Sequence, residues 1–217
     1  MSGRSTDLLI IRHGETDWNA LQRLQGWSDI SLNETGKNQA EHLRNYLQNN
    51  YLQKLYETHG LKLSRIYTSD LKRAVQTATP LAQELSLEIQ IDIDLRERNY
   101  GKLEGQNWRE AFNHFYTVQH ATPKDFAEKL AVEPLDVFSK RIQGALHGIT
   151  QRYPGELVVI ISHGGALDMM WRYFKGLDNT AQREVLQRNT TINHVRFKDG
   201  AWELIDWGHG AHLEHLA

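Results

Sequence analysis

Cysteine is absent from this chain of 217 residues. That one absence excludes disulfides, thiolate nucleophiles and zinc–thiolate sites together. Long hydrophobic runs are missing too: no stretch approaches the roughly 20 apolar residues of a membrane-spanning helix, so no membrane partner is expected. Charge of one sign is also lacking. The net charge is −2, and no overall field draws the chain to nucleic acid or anionic lipid. An anion would have to be held by a local pocket. Residues 1–7 carry one arginine and no apolar core, so no signal peptide is expected and a cytoplasmic location is the default reading. No low-complexity tract is present. A hydrophobic fraction of 40% and a charged fraction of 24% are those of a globular protein with a real core. The length suits one domain spanning residues 1–217.

Two short units organise what is there. Leu8-Leu9-Ile10-Ile11 stops abruptly at Arg12-His13-Gly14, and Leu157-Val158-Val159-Ile160-Ile161-Ser162 stops at His163-Gly164-Gly165. Apolar runs of this length ended by glycine read as buried strands of an α/β sheet. Residues just past such strands face the ligand crevice. One strand ending in His-Gly is unremarkable; two point to chemistry. Arg12 offers a planar cationic fork suited to phosphate, and cations beside His13 disfavour its protonated form, leaving a ring nitrogen able to attack. The segment 166–174 is apolar nearly all round and reads as a buried helix, whose N-terminus after two glycines offers backbone N–H groups to an anion.

Between these units, residues 17–30 show no clean period and read as a long loop over the strand end, with Asn19, Gln25 and Gly26 able to reach an anion. Gly26 alone reads equally as turn chemistry. Asn33 predicts a helix N-cap, the helix lasting to about Leu52 and followed by a polar connection over 53–61. Residues 63–68 read as a second strand, and the next helix is expected to be capped by Ser69 or Asp70, kinked at Pro80, and to carry Arg73 near the strand end. An arginine there is ordinarily a solvated face. Residues 87–93 read as a third strand, running into Leu95-Arg96-Glu97-Arg98-Asn99-Tyr100-Gly101. Glu97 is either a surface ion pair or, from its place after a strand, an acid/base group. An uneven, aromatic-containing insertion over 106–135 (Trp108, Phe112, Phe115, Tyr116, Phe126) reads as a helical cap over the crevice, with His114 and His120 as surface or packing residues. An amphipathic helix from Leu135 to Ile149 follows, and a hairpin turns at Lys198-Asp199-Gly200. His209, His212 and His215 read as part of an exposed tail over 209–217.

Taken as a set, Arg12-His13-Gly14-Glu15-Thr16, Asn19, Arg23-Leu24-Gln25-Gly26-Trp27, Ser69-Asp70-Leu71-Lys72-Arg73-Ala74 with Gln76-Thr77-Ala78, the Glu97 block with Glu104-Gly105, and Ser162-His163-Gly164-Gly165 resemble the histidine phosphatase superfamily, the group of cofactor-dependent phosphoglycerate mutases and their phosphatase relatives. The resemblance implies a three-layer α/β/α sandwich with a mostly parallel sheet. It implies His13 as the nucleophile that becomes a phosphohistidine and Glu97 as the acid that protonates the leaving alkoxide. Arg12, Arg73 and His163 would bind the transferred phosphoryl group, with Asn19, Gln25, Gly26, Tyr100 and Gly164 as further substrate contacts. No metal or other cofactor is called for, because side chains supply the positive charge. Arg96 and Arg98 are expected to point away from the pocket, since their charge would oppose protonation of Glu97.

Within the family, the short interval between Glu97 and His163 and the Gly164-Gly165 pair, where mutases carry Gly-Asn, favour a phosphatase acting on a small phosphorylated metabolite. The form Glu97-Arg98-Asn99-Tyr100-Gly101 is close to that of the mutases, and the Gly-Glu-Ser of many phosphatase relatives is missing near Glu133-Pro134-Leu135. A mutase and an inactive phosphate-binding scaffold are the alternatives. Homodimerisation stays open.

Overall fold

A computed structural model describes residues 4–111, 128–182, 184–185 and 187–214. Its centre is a six-stranded sheet in the order β3-β2-β4-β1-β5-β6. The strands are β1 (Thr6–Arg12), β2 (Leu63–Thr68), β3 (Ile89–Ile91), β4 (Leu157–Ser162), β5 (Ile192–Lys198) and β6 (Ala201–His209). The first four are mutually parallel, and β5 and β6 close one edge antiparallel.

Alternation along the central strands builds the three layers. Leu8 and Ile10 of β1, with Val158 and Ile160 of β4, pack on one face against α5 (Leu135–Arg152) and α6 (Gly164–Lys175) through Phe138, Ile142, Leu146, Leu167 and Met170. Leu9, Ile11, Val159 and Ile161 pack on the other face against α2 (Glu34–Tyr46), α3 (Leu52–His59) and α4 (Lys72–Leu85) through Leu43, Leu55, Ala78 and Leu81. Leu8, Leu9, Ile10 and Ile11 are fully buried, each contributing about 1.5–3 kcal/mol of hydrophobic stabilisation. This is the α/β/α sandwich that the family resemblance implies.

Four local expectations are corrected. The loop over 17–30 contains one helical turn, α1 (Asp17–Ala20), closed by a capping box between Thr16 and Asn19. The helix capped by Asn33 does not end near Leu52. A π-turn over Leu47–Tyr51 inserts one residue, re-phases the apolar stripe and brings Leu55 back to the core, so 53–59 is helix. Neither Ser69 nor Asp70 is the residue at the cap of α4. Leu71 occupies that position without a side-chain bond, Ser69 Oγ faces His163 and Asp70 pairs with Arg96. The third strand shrinks to Ile89–Ile91 because Asp92 accepts the Asp94 N–H and turns the chain into a 3₁₀ turn. Helix α4 continues through Pro80.

The tail reading is corrected as far as the described residues go. His209 ends β6, and His212 sits in a 3₁₀ turn, buried and stacked on Tyr46. Phe112, Phe115, Tyr116, Phe126, His114, His120 and His215 lie outside the described residues, as does most of the expected cap.

Candidate active site

Strands β1 and β4 are direct neighbours, with Arg12 opposite Ser162. The next residues are therefore forced together: the His13 N–H donates to the Ser162 carbonyl at 2.9 Å, and the His13 and His163 ring centroids lie 5.1 Å apart. Both imidazoles are buried.

His13 is held in one tautomer. Its Nδ1 lies 2.6 Å from the Gly14 carbonyl, which can only accept, so Nδ1 carries the hydrogen and Nε2 the lone pair. The Gly14 N–H in turn donates to Thr77 Oγ1 of α4 at 2.9 Å. Asn189 Nδ2 donates to the His13 carbonyl and the Thr190 N–H to that of Arg12. A side chain at Gly14 would place Cβ 2.6 Å from the Gly36 carbonyl, and one at Gly36 would place it 2.0 Å from that of Glu15. The first turn of α2 therefore packs directly on the nucleophile loop. His13 is pushed well below the usual imidazole range, by burial first and then by Arg73 and Arg12. The sequence pointed to the arginines; desolvation is the larger cause.

His163 has both nitrogens engaged. Nδ1 accepts from Arg73 Nε at 3.2 Å, so Nε2 carries the hydrogen and donates to Ser69 Oγ at 2.7 Å. It too is pushed well below the usual range, by burial and then by Arg73. Arg73 is fully buried. Its Nη atoms donate to the Ser28 and Gly26 carbonyls at 2.9 and 2.7 Å, leaving one hydrogen on each for an anion. Burial lowers it to about 10, so it stays a cation at neutral pH. Arg12 Nη1 donates to the Gln187 carbonyl at 2.5 Å, and its charge is felt by both histidines.

Glu97 closes the group. Its Oε1 accepts the Arg98 N–H at 2.8 Å and its Oε2 the Gly165 N–H at 2.7 Å. Helix α6 starts at Gly164 rather than after the glycines, and its first turn serves a carboxylate of the chain itself. A Cβ at Gly165 would lie 2.3 Å from Glu97 Oε1, so only glycine fits there with Glu97 in place. Neither the Arg96 nor the Arg98 guanidinium hydrogen-bonds the Glu97 carboxylate: Arg96 pairs with Asp70 and lies over Trp27, and Arg98 Nε donates to the Glu133 carbonyl.

The remaining expected contacts are less central. Asn19 Oδ1 accepts from Thr16, Gln25 is buried with Oε1 unbonded among the described residues, and Tyr100 is half-buried with the Arg98 guanidinium 6.0 Å from its ring. A Cβ on Gly164 would lie 3.3 Å from Arg12 Nε, which places that backbone beside the cation. Sequence reasoning placed Ser69, Thr77 and Gly165 in the motifs without a bond in the site and missed Asn189, all four of which reach the site across long stretches of chain. It also missed Trp27 Nε1, which donates to the Glu97 carbonyl at 2.8 Å. Among the described residues no group of three histidine, aspartate or glutamate side chains is placed to hold a metal, and no helix is long and apolar enough to cross a membrane.

Two buried imidazoles, a buried guanidinium and a carboxylate thus converge at adjacent tips of parallel strands, and the family model for the histidine phosphatase superfamily (branch 1) matches residues 8–210. The chain belongs to the histidine phosphatase superfamily. Among curated members it is 32% identical to phosphoglycerate mutase-like protein 4 of Arabidopsis thaliana, over 96% of this chain and 87% of that protein. It is 31% identical to the uncharacterized phosphatase PhoE of Bacillus subtilis, over 96% and 97%. Among solved structures, Bacillus stearothermophilus YhfR superposes with a TM-score of 0.79 at 28% identity, covering 96% of this chain and 100% of that one.

Proposed function

We propose that this chain is a metal-independent phosphomonoesterase that hydrolyses a small phosphorylated metabolite through a phosphohistidine on His13. The observation that carries the reading is the tautomer lock: Nδ1–H is tied to the Gly14 carbonyl, and a neutral Nε2 faces a cluster of cations. In the first step the Nε2 lone pair forms the N–P bond as the ester P–O bond breaks. The Glu97 carboxyl transfers its proton to the departing alkoxide. The charge spread over the phosphoryl oxygens in flight is met by Arg12, by the remaining Arg73 hydrogens and by the polar atoms around His163. In the second step water attacks phosphorus, the N–P bond breaks, and Glu97 takes up the proton that water loses. Inorganic phosphate leaves and His13 returns to its neutral tautomer. Asn19, Gln25, Gly26, Tyr100 and Gly164 are assigned to hold the substrate around this core.

The relatives carry both mutase-like and phosphatase names, so the mutase is the competing reading. The Gly164-Gly165 pair, where mutases of the family usually carry Gly-Asn, and the short interval between Glu97 and His163 support hydrolysis. The test is phosphate release from a panel of phosphorylated metabolites and p-nitrophenyl phosphate, in chelator, with His13→Ala as the blank. Turnover that needs no bisphosphoglycerate primer supports the phosphatase. Primer dependence assigns the mutase, and no turnover of any ester assigns a binding scaffold.

A further inference from the structure

We infer that Arg141, on α5, is a positioning residue for Glu97, and that with Glu133 it forms the clamp that sets where the proton is delivered. The inference rests on the reading of Glu97 as the acid. A guanidinium has five N–H hydrogens, and all five of Arg141 are engaged. Nε donates to Glu133 Oε1 at 2.7 Å and Nη2 to Glu133 Oε2 at 2.8 Å. The other three reach the backbone carbonyls of Asp94, Arg96 and Glu97, each at 2.8 Å. One side chain therefore satisfies three carbonyls of the segment that turns from β3 into the Glu97 block. Glu133 continues the grip, with Oε2 accepting the Asn99 N–H at 3.1 Å and its own backbone N–H donating to the Asn99 carbonyl at 2.9 Å.

The clamp is mounted on a rigid base. Helix α5 is anchored by Phe138, Ile142 and Leu146, all buried against the sheet, and the guanidinium lies 4.7 Å over the Phe138 ring. The Arg141 and Glu133 side chains are 13% and 9% exposed, dry enough for the pair to keep one geometry. The carboxylate of Glu97 is fixed at its tip by the Arg98 and Gly165 N–H groups, and its backbone by Arg141 and Trp27. Loss of Arg141 leaves three carbonyls without that donor and frees the segment to shift. A misplacement of about 1 Å costs on the order of 10²-fold in rate, and the cost falls on proton delivery rather than on attack by His13.

The test exploits that division. An alkyl phosphate needs a proton on its leaving oxygen, whereas nitrophenolate departs without one. The burst of leaving-group release, which reports the first step alone, is measured for both substrates in Arg141→Met, Glu133→Gln and Glu97→Gln, alongside melting temperature. Arg141→Met is expected to slow the alkyl phosphate burst by about 10- to 100-fold and to leave the nitrophenyl burst within about threefold. Glu133→Gln keeps the size of the side chain but turns an NH2 toward a donor the carboxylate served, and is expected to show the same selectivity, more weakly, should Arg141→Met fail to fold. Glu97→Gln is the reference. If it is not selective, the reading of Glu97 as acid falls. If Glu97→Gln is selective while the folded clamp variants slow both substrates equally or neither, the positioning role is overturned.

Discussion

Thr77→Val isolates the link between helix α4 and the nucleophile. Thr77 is buried, and its Oγ1 donates to the Arg73 carbonyl at 2.6 Å while accepting the Gly14 N–H at 2.9 Å. Valine keeps the shape and the β-branch, with a similar helix propensity, and removes only the hydroxyl. The Arg73 carbonyl is within the helix and keeps its backbone partner, so the net loss is one acceptor for one buried N–H. Such an orphan costs about 1–3 kcal/mol, or a fall in melting temperature of roughly 2–4 °C per kcal/mol for a chain of this size. The orphaned N–H belongs to the His13–Gly14 peptide and can recover a partner only if that peptide turns, which moves the backbone carrying the Gly14 carbonyl that holds His13 Nδ1–H. That rotation therefore swings the attacking Nε2. The burst rate with p-nitrophenyl phosphate, which needs no acid, should fall by about 10- to 100-fold. Thr77→Ser, which keeps the hydroxyl, should restore most of it. Unchanged burst rates in a destabilised valine variant, or a serine variant as slow as valine, would refute the chain of contacts from α4 to His13.

Gly165→Ala should move Glu97, because its Cβ would meet Oε1 at 2.3 Å. Alkyl phosphate turnover should fall at least about 10-fold with little change in melting temperature, read by parallel kinetics and thermal unfolding; an active Gly165→Ala enzyme would contradict the proposed seat. Acid should destabilise the fold through three histidines. His13, His163 and His212 are held below the ordinary value of 6.5, His212 at about 4, in each case chiefly by burial. As pH falls through 6.5 the unfolded chain takes up protons that the folded chain refuses, so stability drops on acidification until the folded imidazoles titrate. Each group shifts the folding equilibrium by up to about tenfold per pH unit, and together by up to about a thousandfold. Urea unfolding at pH 7, 6 and 5 reads this directly, and a flat profile would contradict the burial of neutral imidazoles.

Much of the frame was legible because its signals are local. The runs Leu8–Ile11 and Leu157–Ile161 announce strands buried on both faces, and their His-Gly endings place two imidazoles at strand tips once the strands are neighbours. What was not legible is decided across the fold. Ser69 has the chemistry of a helix cap, and nothing in its neighbourhood of sequence says that its hydroxyl accepts from His163 instead. The apolar stripe of α2 loses phase at Leu47, and only the π-turn, driven by the burial of Leu55, carries the helix on. Arg141 is an ordinary polar position on an amphipathic helix until α5 packs beneath the Glu97 segment. Glu133 then supplies the carboxylate that two of its five donors need.

The most direct measurement of the whole account is the chemistry of the trapped intermediate. Rapid acid-free quenching during turnover of a ³²P-labelled ester, followed by peptide mapping, should recover one label on the His13 peptide. That label should be stable in base, lost in acid as a phosphoramidate is, and absent in His13→Ala. Label on another residue, or steady hydrolysis by the His13→Ala protein, would contradict it.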